Sequence, residues 1–218
     1  MIDPSPLRRV PRQVRAQERV QRVLDAAEQV IAEVGFEAAT TNAIAAAADT
    51  SIGSLYEFFP NKDAVAAALA QRYIERIGAL YDSIVVDSPG VLGLNLIEQI
   101  VHGLDTFYRQ HPAAVPLLNG RFTSPDLIAA GEALQNALVA HVETIIKSRR
   151  PDVPMARRYL VAQVVAEIAQ SLLVLANQVA LHQRRSVLRE LERVVSAYLR
   201  EGLPATMAGV PSAAGEVM

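Results

Sequence analysis

Residues 41–59 read TNAIAAAADTSIGSLYEFF. This stretch has the composition of two short helices, because alanine favours helix and hydroxyl side chains stand where each helix would begin. Thr40 or Thr41 can cap the first helix, and the second begins after Thr50 or Ser51. Neither helix is long enough to bury its apolar side alone. The pattern therefore predicts a helix-turn-helix, whose second helix enters the major groove of DNA.

A longer helix that precedes this pair would cover it. Its apolar residues lie on one helical face, at Val20, Val23, Leu24, Ala27, Val30, Ile31 and Val34. Gly35 follows as a stop. We expect the core of this three-helix unit to contain Ile31, Phe36, Ile44, Ala47 and Leu55. The same arrangement also occurs as one corner of helical proteins that bind no DNA, so spacing alone leaves both interpretations open.

The composition and the motif content exclude several other classes of protein. Of the 218 residues, 51% are hydrophobic and 20% are charged, which is typical of a folded protein. The chain has no cysteine, which excludes disulfides, thiolate catalysis and thiolate-bound zinc. His102, His111 and His141 do not have the spacing of a metal site, and no phosphate-binding loop, GxSxG or HExxH motif is present. We therefore expect no metal, no cofactor and no enzymatic activity.

The rest of the chain has the pattern of an all-α protein with about nine helices. After a fourth helix that Asn61 caps, further helices are predicted over about 91–110, 112–119, 124–148, 154–183 and 185–201, with prolines near several first turns. The predicted divisions are a mobile basic arm (1–11), a helix-turn-helix domain (12–62), a helical effector-binding and dimerisation domain (63–202) and a flexible tail (203–218).

Residues 161–181 form the most apolar segment and are long enough to span a bilayer. A lone membrane span would be costly with the amides and the carboxylate that this segment carries: Gln163, Glu167, Gln170, Asn177 and Gln178. The N-terminal residues MIDPSPLRRVPRQ also lack the apolar stretch of a secretory signal. We expect a buried helix in a soluble, cytoplasmic protein that does not engage a membrane.

Residues 35–69, GFEAATTNAIAAAADTSIGSLYEFFPNKDAVAAAL, resemble the N-terminal DNA-binding domain of the TetR family of bacterial transcriptional regulators. The matching elements are Gly35-Phe36, Thr40-Thr41, Ile44-Ala45, Ser51-x-Gly53, Leu55-Tyr56, Phe59 and Asn61-Lys62. The chain departs from the family pattern at Thr50, where a small aliphatic residue is more usual. Beyond residue 69 the resemblance extends only to length, helix count and apolar content.

The resemblance implies that nine residues contact DNA: Thr41, Asn42, Ser51, Ile52, Gly53, Ser54, Tyr56, Phe58 and Lys62. Thr41, Tyr56 and Lys62 would contact phosphate groups. Phe58 stands where family members often have a residue that contacts the DNA backbone. Asn42 and the residues that open the second short helix would face base edges.

Six arginines stand near the N-terminus: Arg8, Arg9, Arg12, Arg15, Arg19 and Arg22. They outnumber the two acidic residues of the same segment, Asp3 and Glu18. This basic arm could follow the phosphate backbone or enter a minor groove. It could equally be a solvated tail, and both interpretations stay open.

One helix-turn-helix contacts few bases, and a two-fold dimer on a palindromic site supplies the missing specificity. The last two predicted helices are the candidates for the interface. The last has apolar residues at helical spacing, and the one before it is apolar on more than one side, so one side can pack on the subunit's own core and another on a partner. The resemblance implies a homodimer through a four-helix bundle that these helices form. Three uses fit the polar line of Gln163, Glu167, Gln170 and Asn177: a solvated edge, hydrogen bonds across the dimer seam, or the fringe of a ligand cavity.

The segment from about residue 70 to 180 is expected to enclose a pocket for a small-molecule effector. Its candidate lining residues are Tyr81, Leu104, Phe107, Tyr108, Phe122, Leu138, His141, Ile145 and Leu172. Each of them could equally be ordinary core. Because the set is apolar and poor in charge, we expect an apolar or aromatic effector.

Together these features predict a ligand-responsive, DNA-binding transcriptional regulator. Family members are usually repressors that an effector releases, so the partners implied are a palindromic double-stranded operator, a small molecule and a second copy of the chain. The effector would favour one tilt of the fourth helix and so set the separation of the two reading helices. The alternative is a helical, dimeric adaptor that binds another protein and no DNA, which would leave the pattern from Thr41 to Lys62 unexplained.

Overall fold

The computed structural model of the protein describes residues 14–87, 94–119 and 124–203. Within these ranges the chain is all-α, as predicted, with nine helices and no strand. The helices are α1 (Val14–Ala38), α2 (Thr41–Ala47), α3 (Ile52–Tyr56), α4 (Lys62–Asp87), α5 (Leu94–Gln110), α6 (Ala114–Asn119), α7 (Pro125–Arg149), α8 (Met155–Gln178) and α9 (Leu181–Gly202). We call α1–α3 the head and α4–α9 the body. The predicted arm (1–11) lies outside the described residues, as does the predicted tail except for Leu203.

A glycine interrupts α1, and side-chain caps begin α2 and α3, at the positions that the sequence indicates. Gly35 interrupts α1 with φ 79° and ψ 163°, a conformation that glycine adopts at little cost. The Thr40 side chain accepts a hydrogen bond from the Ala43 amide at 3.1 Å and caps α2. The Ser51 side chain accepts one from the Ser54 amide at 3.1 Å and caps α3. These local signals account for the predicted stop and the predicted caps.

The head has the predicted core with one exception. Ile31, Phe36, Ile44 and Leu55 are buried, whereas Ala47 is exposed. The prediction for Ala47 was wrong because residues 44, 45 and 48 form the buried side of this short segment, and residue 47 lies outside that side.

The 26-residue helix α4 leads from the head into the body. Asn61 caps it as predicted, because its Oδ1 accepts a hydrogen bond from the Ala64 amide at 2.8 Å. In the body, α7 packs against α4 and α8, and α8 packs against α9. Gly103 marks a close approach of α4 and α5, since a Cβ at this position would stand 3.0 Å from the Leu80 side chain. A displacement of α5 therefore acts directly on α4.

The boundary between α8 and α9 lies earlier than predicted. The predicted helices covered about 154–183 and 185–201, whereas the break falls at Val179 and Ala180, whose backbones are extended. Neither residue is glycine or proline, so the sequence contains no turn signal at this point.

Among the described residues, α8 is the one helix whose length and mean hydropathy of 1.7 would suffice to cross a membrane. The four residues of its polar line lie in different environments. Glu167 is exposed and accepts a hydrogen bond from the Gln135 amide of α7 at 2.8 Å, while the Asn177 amide donates to the Leu173 carbonyl of its own helix at 2.7 Å. Gln163 is exposed, and Gln170 lines an apolar cavity that is described below.

Candidate nucleic-acid interface and effector cavity

The head exposes the start of α3 together with the start of α2. Asn42, Ser51 and Gly53 are exposed, and Ile52 remains 36% exposed despite its apolar side chain. Ser54 is half-buried, and its hydroxyl accepts a hydrogen bond from the Ser51 hydroxyl at 3.0 Å. This surface has hydroxyls, one amide and one methyl-bearing side chain, the groups that hydrogen-bond base edges and contact thymine methyls.

The two hydroxyl residues predicted to contact phosphate lie side by side. A hydrogen bond of 3.2 Å joins the Thr41 and Tyr56 hydroxyls, although the two residues are 15 positions apart. Tyr56 is 41% exposed, which is unusual for a tyrosine that only fills a core. Paired neutral hydroxyls at the edge of the reading surface can share one phosphate oxygen or neighbouring ones.

The structure does not place Phe58 on this surface. Its side chain is 5% exposed and belongs to the core with Leu55 and Phe59. Phe58 stands two positions after the last residue of α3, where its amide donates to the Leu55 carbonyl at 3.1 Å and the turn carries the ring inward. A buried ring cannot touch the DNA backbone, so the prediction for Phe58 is corrected to a packing role.

Lys62 is also engaged within the protein. Its ammonium group donates hydrogen bonds to the carbonyls of Phe36 at 2.8 Å and Glu37 at 3.1 Å. The same nitrogen lies 4.4 Å from the centre of the Phe36 ring, a cation–π contact. A cation that satisfies the carbonyls at the end of α1 ties the first turn of α4 to α1. The geometry gives Lys62 a positioning role between α1 and α4, and its contact with phosphate stays a prediction.

We expect Lys62→Met to lower the free energy of unfolding by about 1–2 kcal/mol, because two charge-assisted hydrogen bonds are lost. The salt dependence of DNA binding should stay as it is, whereas a lost phosphate contact would reduce the slope of log K against log salt by about 0.9. Thermal melting and DNA titrations at several salt concentrations measure both quantities. Lys147→Met on α7 is the matched control. If the slope were reduced in Lys62→Met but not in Lys147→Met, Lys62 would contact a phosphate after all.

Gly53 keeps the exposed start of α3 slim. A Cβ at Gly53 would meet only the Ser51 hydroxyl at 3.9 Å, an ordinary contact, so the fold accepts alanine. We expect Gly53→Ala to stabilise the protein by about 0.5–1 kcal/mol while weakening DNA binding about tenfold. The added methyl group would stand between α3 and the groove. Thermal melting and DNA titration test the two effects.

Gly131 provides the control for that experiment. It lies in α7, and a Cβ at this position would have no neighbouring atom within 4 Å. Gly131→Ala should therefore give a similar gain in stability and leave DNA binding alone. If Gly53→Ala bound DNA as tightly as Gly131→Ala, α3 would not approach the bases closely.

The helix α3 has no basic residue. The positive charge near it comes from arginines of α1. Arg15 and Arg22 are exposed, and Arg19 is half-buried beside Glu57 at the end of α3, with 3.9 Å between charged atoms. Arg8, Arg9 and Arg12 lie outside the described residues.

The body encloses an apolar cavity of about 70 Å³ between α4, α5, α7, α8 and α9. Five of the predicted effector contacts are on its wall: Tyr81, Leu104, Tyr108, Leu138 and Ile145. Gln170 of α8 was not among the candidate lining residues, although the fringe of a ligand cavity was one of the three uses considered for its polar line. The wall that α9 supplies through Leu191, Val195 and Leu199 was not predicted. Their helical spacing is equally typical of plain core, so no sequence signal sets them apart.

The other predicted effector contacts lie elsewhere. Phe107 is buried against Tyr73 and His111 rather than on the cavity wall, with ring centres 5.8 and 4.7 Å away. Leu172 is partly buried and packs against the core away from the wall. Phe122 lies outside the described residues.

His141 lines an outer cleft of about 410 Å³ between α4 and α7, which shares Tyr81 and Ile145 with the inner cavity. The His141 ring stands against Gly78, and its Nδ1 donates a hydrogen bond to the Ala137 carbonyl at 2.9 Å. The Tyr81 ring meets it edge-on at 5.3 Å. Tyr81 and Ile145, which line both, thus stand between the cavity and the cleft.

The described wall of the cavity has no charged side chain, and its polar groups are the Tyr81 and Tyr108 hydroxyls and the Gln170 amide. Burial, and to a lesser extent the neighbouring Tyr108, raises the pKa of Tyr81 above its ordinary value. The phenol therefore stays neutral at physiological pH and keeps its proton for a hydrogen bond.

Comparisons with known proteins cover both the head and the body. Residues 23–69 match the family described as "Bacterial regulatory proteins, tetR family", and residues 95–199 match "Tetracyclin repressor-like, C-terminal domain". The chain is 29% identical over 194 residues to the HTH-type transcriptional repressor KstR of Rhodococcus jostii, which spans 85% of this chain and 84% of that protein.

Solved structures share the fold. A TetR-family transcriptional regulator from Streptomyces coelicolor superimposes with a TM-score of 0.69 at 29% identity, covering 85% of this chain and 99% of that one. The regulator FadR from Bacillus subtilis, solved in complex with stearoyl-CoA, gives a TM-score of 0.66 at 15% identity, covering 84% and 98%. With its head and its body both matched, the chain belongs to the TetR family of bacterial DNA-binding transcriptional regulators.

Proposed function

We propose that the protein is a transcriptional repressor that binds a palindromic operator as a homodimer and is released from it by a small, uncharged, apolar effector. The observation that carries the proposal is that one helix connects an exposed surface of the head to a cavity in the body. An exposed reading surface lies at the start of α3, and α4 connects that head to an apolar cavity in the body. The similarity to KstR, a repressor, supports the direction of the response.

The proposed DNA contacts follow from what the head exposes. Asn42 and the residues Ser51–Ser54 would face base edges, and the Thr41 and Tyr56 hydroxyls would hold the backbone. The exposed arginines of α1 supply the positive charge that the reading helix lacks. Phe58 and Lys62 are not part of this set.

The proposed effector is uncharged where it is enclosed. A carboxylate or an ammonium group in the cavity would lose its hydration without meeting an opposite charge, which is strongly unfavourable. A largely hydrocarbon molecule would instead bury its surface against the apolar wall. One or two neutral polar groups of the ligand could pair with the Tyr81 and Tyr108 hydroxyls or with the Gln170 amide.

The proposed dimer uses an apolar strip on α8. Leu160, Val164 and Leu175 share one face by helical spacing, and Leu160 and Leu175 are exposed in the subunit. On α9 the exposed Val194 shares a face with the half-buried Val187 and Tyr198. An exposed apolar surface of this kind is typical of a subunit interface. A second copy of α8 and α9 would cover it as a four-helix bundle.

In the proposed mechanism, the effector acts through α4. A ligand that binds more tightly to one setting of α4 and α5 shifts the dimer toward that setting. The separation of the two α3 helices then no longer matches successive major grooves, which lie about 34 Å apart for one turn.

We place the division between the DNA-binding and effector-binding parts at about residue 62. We also propose that the regulator acts in the cytoplasm.

An electrophoretic shift with the DNA upstream of the protein's own gene tests this function. We expect a specific complex that weakens steeply between two salt concentrations, because phosphate contacts release counterions. A helical adaptor would show no preference for this DNA over an unrelated duplex of equal length, and that outcome would favour the alternative.

A further inference from the structure

A single carboxylate joins the head to the end of a helix that lines the cavity. The Glu28 side chain of α1 accepts a hydrogen bond from Nη2 of Arg72 on α4 at 3.0 Å. Its other oxygen is 2.5 Å from Nδ1 of His111, the residue that directly follows α5. A carboxylate has no proton to give, so His111 is the donor. Three elements, one of the head and two of the body, thus meet at one side chain.

The two hydrogen bonds to Glu28 differ in how easily a movement of the helices can break them. Arg72 is buried at 9% exposure and also binds Asp25 at 2.6 Å, so two carboxylates hold α1 on α4. His111 has one side-chain bond to the head, and that bond depends on where α5 ends. A small displacement of α5 would break the His111 bond and leave the Arg72 bonds intact.

The end of α5 is in turn connected to the cavity by packed rings. Tyr108 lies on the cavity wall, and its ring stands 5.7 Å from Phe107. Phe107 lies 4.7 Å from the His111 ring, and Tyr73 of α4 lies 5.5 Å from it. A change at Tyr108 therefore reaches His111 through direct ring contacts at the end of α5.

We propose that the hydrogen bond between His111 and Glu28 couples the effector cavity to the DNA-reading head. The proposal rests on the proposed function, because it assigns the residues through which that regulation acts. Glu28 and His111 are positioning residues: they touch neither DNA nor effector, and the bond between them makes the setting of α1 depend on the setting of α5. Coupling is reciprocal, so DNA bound to the head must also change the stability of the end of α5.

Reciprocity allows a test that needs no effector. The probe is a duplex that the full-length protein selects from random-sequence DNA, and the readout is hydrogen exchange of backbone amides with and without it. We expect DNA to slow exchange over residues 104–119 by about threefold to tenfold, the range that the net contribution of one typical hydrogen bond covers.

Two variants of His111 separate coupling from packing. His111→Phe keeps a ring against Phe107 and Tyr73 but cannot donate to Glu28, so the effect of DNA on residues 104–119 should disappear. His111→Asn places an amide donor near the position of Nδ1 and should restore it. His102→Phe changes an exposed histidine on α5, and it is the matched control that should behave as the unaltered protein.

The outcomes distinguish the proposal from the function on which it rests. If no duplex is selected, the proposed function fails. If a duplex binds but exchange at residues 104–119 does not change, or His111→Phe keeps the change, the coupling role is wrong. A purely structural bond would lower the melting temperature of His111→Phe and leave the DNA-induced difference in place.

Discussion

Phe59→Ala is expected to lower the free energy of unfolding by about 3–5 kcal/mol, the usual cost of emptying a buried aromatic site. Phe59 is completely buried, and its amide donates to the Leu55 carbonyl at 2.9 Å, so the ring stands where α3 meets the start of α4. A cavity there removes the support of the reading helix. Urea unfolding followed by circular dichroism measures the loss, which is a large part of a typical domain's stability.

Tyr56→Ala is the matched control for this substitution. Tyr56 is an aromatic residue three positions earlier that is 41% exposed, so its removal should cost at most about 1 kcal/mol of stability. It should nevertheless weaken DNA binding, because the hydroxyl beside Thr41 is lost. Equal losses of stability in Phe59→Ala and Tyr56→Ala would show that the head does not have this core.

Leu175→Arg is expected to have the largest effect on DNA affinity. It places a charge in the apolar strip of α8 that the proposed dimer buries, where an unpaired cation is strongly unfavourable. The variant should sediment as a single subunit and bind the palindromic operator at least about 100-fold more weakly, since each subunit would contact one half-site alone. Analytical ultracentrifugation and DNA titration measure the two effects.

The control is Ile128→Arg, which changes an exposed apolar residue on α7 outside the strip. This variant should remain a dimer with unaltered operator binding. A Leu175→Arg protein that stayed dimeric, or an Ile128→Arg protein that dissociated, would place the interface on a different face.

Local features of the head were predictable because they depend on neighbours in the sequence. Thr40, Ser51 and Asn61 cap helices through side-chain bonds to amides three residues ahead, and Gly35 takes a backbone conformation that suits glycine. Such signals need no knowledge of the tertiary fold. The break at Val179 has no local signal and was therefore misplaced.

Features that depend on distant contacts were not predictable in the same way. Phe58 and Tyr56 are both aromatic and two positions apart, yet one is buried and the other exposed, because the chain turns inward after α3. The ammonium group of Lys62 reaches carbonyls 25 and 26 positions earlier, and His111 meets Glu28 across 83 positions. Arg72 of α4 likewise binds Asp25 and Glu28, which lie 47 and 44 positions earlier.

The proposed function requires that the start of α3 read DNA in two symmetrically placed copies. The decisive experiment is the selection of bound duplexes from random-sequence DNA, followed by footprinting of the selected duplex. We predict an inverted repeat whose two protected half-sites lie on one face of the duplex, with centres one turn of about 34 Å or a multiple of it apart, and weaker binding by Gly53→Ala. Enrichment of no sequence, or of a single unrepeated site that Gly53→Ala binds equally well, would refute the symmetric reading of DNA by α3.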